Sequence, residues 1–193
     1  MTKLLILIGS PRKDGNSAAL ARAAEHAATD AGASVESAFL QDMTILPCNG
    51  CGACRESVEA SCVLADDMTA LYPKLREADA ILIATPIYSY NMTAQTKLLV
   101  DRLYALGSRH GNALDGKRFG FIVVYGAANP FTSGAATAMR CFHDTFARKA
   151  SWMSTVHGTA SEAGSAASNP DLLSAAARLG AGLAAPSADR TIG

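Results

Sequence analysis

Four of the chain's five cysteines stand in one short stretch, as Cys48, Cys51, Cys54 and Cys62. Two Cys-x2-Cys steps share Cys51, and the fourth thiol returns after seven residues. Thiolates are soft ligands. Three close together, with a fourth from farther along, can wrap the corners of a 4Fe-4S cluster. Zinc also accepts four thiolates, but its structural sites usually pair two separated Cys-x2-Cys units. The intervening Asn49, Gly50, Gly52 and Ala53 are small, as a tight loop requires. The proline that ends a bacterial ferredoxin run is missing after Cys62. The same loop can keep its cysteines as bare thiols, so cluster and thiols both stay open. Cys141 stands apart, and His26, His110, His143 and His157 show no metal-ligand spacing.

Three further stretches carry chemistry of a different kind. Gly9 to Ser17 offers hydroxyls at Ser10 and Ser17, a charge at Arg12 and an amide at Asn16. Placed ahead of a helix, with free backbone N–H groups, they form a nest for a phosphate. The stretch is neither a G-x-G-x-x-G fingerprint nor a Walker A loop, which favours a terminal monophosphate over a dinucleotide or ATP. Thr85 to Ala94 brings Tyr88, Tyr90 and Asn91 into one turn, able to pack on a planar ring and bond its heteroatom edge. Tyr125 to Pro130 is small and permissive, able to bring backbone close to a ligand. No G-x-S-x-G elbow supports Ser-His-Asp catalysis.

The elements that must position these loops alternate along the chain. Short runs, uniformly apolar within 4–8 and at 80–84, predict strands at 3–8, 34–40, 80–84, 118–125 and 152–159. Helical propensity and spacing predict helices over 17–31, 66–78, 93–106, 134–150 and 170–183, with Met139, Phe142 and Phe146 forming one stripe. The cysteine-bearing loop falls at 43–63 and a turn at 86–91. Strand–helix alternation implies an α/β fold, a doubly wound five-stranded parallel sheet with helices on both faces. Ligands in such sheets sit outside the carboxyl ends of the strands, where all three polar loops fall. One domain is expected over 1–185, with a fraying tail at 186–193.

Composition narrows the partners. Of 193 residues, 17 are Lys or Arg and 17 Asp or Glu, for a net charge of zero. Nucleic acid and anionic membrane surfaces select clustered cations, so neither is expected. No run approaches the ~20 apolar residues of a membrane span, and the apolar start is cut off by Gly9-Ser10-Pro11. A cytoplasmic address is therefore expected, where thiols stay reduced.

Gly9-Ser-Pro-Arg12, Gly15-Asn-Ser17, the run from Thr85 to Lys97 and Asp101-Arg102 together resemble the NAD(P)H-dependent FMN reductase group of flavodoxin-like proteins. The likeness extends over roughly the first 150 residues, in the order a doubly wound sheet requires. It implies that Ser10, Arg12, Asn16 and Ser17 hold the FMN phosphate. It implies that Pro86, Ile87, Tyr88, Ser89, Tyr90 and Asn91 flank the isoalloxazine, with Tyr125, Gly126 and Ala127 closing a third side. Asp101 and Arg102 read as a structural or interface pair. The cysteine spacing is similar to the iron–sulfur flavoprotein branch, where such a set holds a 4Fe-4S cluster. The activity implied is hydride transfer from NAD(P)H to the flavin and on to a quinone, flavin or other small-molecule electron acceptor, with no obligatory side-chain acid or base. The alternatives are an iron–sulfur flavoprotein or a flavodoxin-type electron carrier serving a protein partner; zero net charge weighs against a strongly acidic carrier. A homodimer or higher homo-oligomer is expected from the same resemblance.

Overall fold

The computed structural model describes residues 1–56, 61–108, 111–126, 134–145 and 149–186. Five parallel strands form the sheet: β1 (Lys3–Ile8), β2 (Ser34–Phe39), β3 (Ala80–Tyr88), β4 (Arg118–Tyr125) and β5 (Ser151–Thr159). Their spatial order is β2-β1-β3-β4-β5. Between them run α1 (Asn16–Asp30), α2 (Met68–Glu77), α3 (Ala94–Arg102) and α4 (Gly134–Thr145), with α5 (Pro170–Ala184) last. This is the doubly wound, flavodoxin-like order, whose direction of winding reverses between β1 and β3.

Side-chain alternation along the strands divides the core into two. Leu4, Ile6, Leu82, Ile122 and Val124 face α1 and α5, whereas Leu5, Leu7, Ile81, Phe119 and Phe121 face α2, α3 and α4. The first face is built from small residues. Ala18, Ala21, Ala24 and Ala28 of α1 are buried, and α1 approaches α5 so closely that a Cβ on Gly180 would stand 2.0 Å from the Ala24 carbonyl oxygen. The alanine-rich sequence thus allows helix contact at short range.

The expected strands and helices are present, with three instructive differences. β3 runs on to Tyr88 because Thr85 and Pro86 continue its ladder with Val123 and Val124 of β4. The expected turn at 86–91 shrinks to a tight hairpin in which Asn91–Met92 pairs back on Tyr88 and Ile87. α3 gives way after Arg102 to a 3-10 turn, Leu103–Leu106. The Phe146 part of the α4 stripe lies outside the described residues, while Met139 is buried and Phe142 packs partly buried against the same core. Among the described residues no helix is long and apolar enough to cross a membrane.

Candidate functional site

The loop after β1 is fixed before it reaches α1. Gly9 N–H donates to Ala84 O at 2.8 Å, and Gly9 O accepts from Thr93 Oγ1 at 2.6 Å. A side chain at Gly9 would put its Cβ 1.8 Å from Thr96 Oγ1. Thr93 also caps α3 by accepting from Thr96 N–H. Thr93 and Thr96 therefore lock the first loop to the end of β3, a positioning role that sequence reading passed over. Ser10 is buried, its hydroxyl closing a small turn with the N–H and carbonyl of Arg12 at 3.0 Å each.

α1 then begins without a side-chain cap. Ser17, in its first turn, is 1% exposed and its hydroxyl has no hydrogen-bond partner. A buried hydroxyl left unpaired costs about 1–3 kcal/mol, so a native structure rarely leaves one without cause. Helix-terminal N–H groups and an unpaired hydroxyl facing a cavity together suit an anion that is all acceptor. Arg12 stands exposed at the rim of that cavity.

The cavity is about 220 Å³ and lies at the β1/β3 reversal. Ser10, Arg12, Asn16 and Ser17 line one side; Pro86, Ile87 and Tyr88 another; Val124, Tyr125 and Gly126 a third. Ser89, Tyr90 and Asn91 sit outside it, on the hairpin tip. There Ser89 and Tyr90 have φ of 47° and 65°, a conformation that costs a residue with a Cβ about 1–2 kcal/mol. The tip is braced by Gly134 N–H on Tyr90 O at 2.5 Å, and Tyr90 is 71% exposed. The Tyr125 ring stacks on His157 at 6.5 Å. Ala127 lies outside the described residues.

A fourth wall was missed. Ala160, Ser161 and Ala163, between β5 and α5, also line the cavity. They have little chemistry to notice, but the strand-end rule alone points to them. Asn16 reaches this loop: its Nδ2 donates to Ala160 O at 2.9 Å and Glu162 O at 2.7 Å, and its Oδ1 accepts from Ala166 N–H at 3.0 Å. A larger groove of about 380 Å³ runs between β5 and α5, past Ser154, Leu172 and Arg178, but no sequence motif reaches it.

The cysteine loop is organised at its ends. Arg102 and Asp66, each 1% exposed at the side chain, form a bidentate pair in which Nη2 reaches Oδ1 at 3.1 Å. Arg102 Nη1 also donates to Leu46 O at 2.8 Å, and Leu46 N–H donates to Asp66 Oδ2 at 2.8 Å. Asp67 accepts from Thr44 N–H at 2.6 Å. The partner of Arg102 is thus Asp66, not Asp101, which pairs with Lys97 at the surface at 2.6 Å. Cys48 and Cys51 are exposed; Cys54 and Cys62 are half-buried. Burial pushes the Cys54 thiol up, and Cys62, Cys51 and Cys48 add to the effect. Burial likewise lifts Tyr72, beside Cys62, to about 12. Among the described residues no three Cys, His, Asp or Glu side chains converge as a metal site.

A family model described as NADPH-dependent FMN reductase matches residues 2–175. The chain belongs to the NADPH-dependent FMN reductase family. It is 40% identical over 123 residues to an iron–sulfur flavoprotein of Archaeoglobus fulgidus, covering 64% of this chain and 54% of that relative. It is 35% identical over 156 residues to an iron–sulfur flavoprotein of Methanosarcina thermophila, covering 81% and 74%. The fold matches a solved flavone reductase with a TM-score of 0.71 at 18% identity, over 95% of this chain and 62% of that one. The chain therefore spans little more than half of the Archaeoglobus relative and under two thirds of the flavone reductase. Membership of the FMN reductase family gives the unpaired Ser17 hydroxyl and the uncapped α1 a fitting occupant, since both suit a flavin phosphate.

Proposed function

We propose that this chain is an FMN-dependent NAD(P)H oxidoreductase that passes reducing equivalents to a quinone, flavin or other small acceptor. The observation that carries the reading is the anion seat at the β1/β3 reversal, formed by the buried, unpaired Ser17 hydroxyl at an uncapped helix start. When bound, FMN would supply hydride chemistry at its N5. The chain's own residues then bind, orient and shield. Ser17, Arg12 and the α1 amides hold the phosphate, and the Ser10 hydroxyl fixes the Arg12 turn beside them. Pro86, Ile87 and Tyr88 form the wall at the end of β3, with Ser89, Tyr90 and Asn91 shaping the hairpin beyond it. Tyr125 and Gly126 limit water on the third side. No carboxylate or histidine is required as acid or base. Rapid reduction of the bound flavin by NADPH or NADH in an anaerobic stopped-flow mix is the expected result. No reduction within minutes would reject the enzyme and leave an electron carrier.

A second reading, an iron–sulfur flavoprotein, is favoured by the names of the curated relatives and by the mutual influence of the four thiols at Cys54. Four soft donors suit a 4Fe-4S cluster in chemistry, yet their side chains do not converge here, so no step is routed through one. Anaerobically purified protein would be brown with about four irons if the reading holds; yellow, metal-free protein would dismiss it. The exposed Tyr88 and Tyr90 beside the cavity also support a homodimer in which a second subunit closes the site. Light scattering giving a monomer would reject that.

A further inference from the structure

The family resemblance assigns Asn16 to the phosphate, and its side-chain bonds argue otherwise. A phosphate dianion has only acceptors, so whatever holds it must donate. An asparagine amide has two N–H donors and a carbonyl with two lone pairs. Both donors of Asn16 are used, on Ala160 O and Glu162 O. Its carbonyl takes the N–H of Ala166, which is buried. The partners lie 144 to 150 residues away in sequence, on the segment joining β5 to α5.

That segment is wound about the asparagine. Glu162 O also accepts from Ser165 N–H at 3.2 Å and from Ser165 Oγ at 2.9 Å. Gly164, at φ 83°, then starts the 3-10 turn Ser165–Ser168. Ala160 N–H donates to Tyr125 O at 2.9 Å, which continues the β4–β5 ladder past its last paired residues. β1 and β5 are not neighbours, since β3 and β4 stand between them. One side chain thus joins the first and last strand-end loops around the cavity and holds Ala160, Ser161 and Ala163 as its fourth wall.

We infer that Asn16 is a positioning residue that clamps the β5–α5 loop over the flavin site, and that phosphate selectivity belongs to Arg12, Ser17 and the α1 amides, the Ser10 O–H being spent on Arg12 O. The inference rests on the FMN reading above and deepens it. On this inference the wall would serve the part of the ligand that FMN and riboflavin share; only the phosphate separates the two ligands.

Fluorescence titration with FMN and with riboflavin reads the difference. Asn16→Ala is expected to weaken both flavins by a similar factor, about tenfold for bonds of ordinary strength, and to leave their affinity ratio unchanged. Ser17→Ala is expected to reduce that ratio by weakening FMN alone. A collapse of the ratio in Asn16→Ala with riboflavin unaffected would make Asn16 a phosphate ligand and overturn the inference. Unchanged affinity for both flavins would overturn it as well. If Asn16→Ala does not fold, amide exchange in the wild-type protein decides. The Ala166 N–H is expected to be protected without any flavin, and exchange at the rate of an open loop would remove the clamp. Wild-type protein that binds neither flavin would reject the FMN reading, while Ala166 exchange would still report on the clamp.

Discussion

The cavity at the β1/β3 reversal and the cysteine loop both hang from the carboxyl side of the fold, yet they are held in different ways. Around the cavity, short loops leave consecutive strands, so ladder register fixes where each polar group stands. Gly9, Thr93 and Thr96 interlock, Ser10 and Ser17 are buried, and Asn16 joins the first loop to the last. The cysteine loop is tied at its two ends by Asp66, Asp67 and Arg102 on the backbone of Thr44 and Leu46, and past Cys54 by Arg55, whose Nη1 donates to Gly107 O at 3.0 Å. Between those ends Gly50 and Gly52 take positive φ with nothing packed against them, and Cys48 and Cys51 face solvent. A preformed site for a rigid ligand needs the first arrangement. A loop that presents several donors to one centre needs room to close, which the unpacked stretch around Gly50 and Gly52 leaves.

The largest test of this contrast removes the staple. Arg102→Leu would leave the buried Asp66 carboxylate unpaired, at a cost of about 3–5 kcal/mol in urea unfolding. Replacing Asp66 with Leu in the same chain should recover much of that loss. The folded variant should still bind FMN within about twofold of wild type, as separate sites do; a larger loss would show the two regions to be one unit. Acid sharpens the point. Burial acts to raise the Asp66 carboxyl, but Arg102 and the Leu46 and Met68 amides outweigh it and hold it below its ordinary value. Its contribution is therefore full above the unfolded carboxyl's pKa, about 3.9, and lost as pH falls through the lower folded value. Without Arg102 burial dominates, the folded carboxyl is raised, and the variant's deficit should narrow on acidification.

A paired glycine substitution comes next. Gly9→Ala drives a Cβ to 1.8 Å from Thr96 Oγ1, inside a fully buried contact, and overpacking of this kind costs about 3 kcal/mol. Gly52→Ala meets no neighbour and carries only the left-handed backbone cost, about 1 kcal/mol. Thermal unfolding should rank them in that order, with FMN affinity falling in Gly9→Ala alone. The reverse order would mean that the cysteine loop is packed as tightly as the cavity.

The same division decides what could be read from the amino acids. β1 and β4 were legible to their last residue, because continuous apolar runs bounded by Gly, Lys or Arg leave few alternatives. The end of β3 was not. Pro86 reads as a breaker, and neither Ser89 nor Tyr90 signals a two-residue hairpin that normally asks for Asn or Gly. Ser10, Arg12 and Ser17 could be grouped from the sequence because they stand within one loop and helix start, and they do line one cavity. The partner of Arg102 was hidden, since Asp66 lies 36 residues away across a loop and the adjacent Asp101 offers a plausible but incorrect mate. Asn16 shows both sides at once: its place at the cavity was legible, and its bonds to a segment more than 140 residues away were not.

The smallest effect isolates the cavity from the loop most cleanly. Ser17→Ala deletes a buried hydroxyl that has no partner, so no bond within the protein is lost. Relief of its desolvation, together with alanine's better helix propensity, should stabilise the flavin-free protein by about 1 kcal/mol. With FMN added the sign should reverse, because the variant has lost a donor that only the ligand's phosphate satisfies. Cys51→Ala provides the contrast: its thiol is exposed, and its metal-free stability should stay within about 0.5 kcal/mol of wild type. Unfolding midpoints with and without FMN check both. A destabilised, flavin-free Ser17→Ala would mean that the hydroxyl is satisfied by the protein itself, and the anion seat would lose its main support.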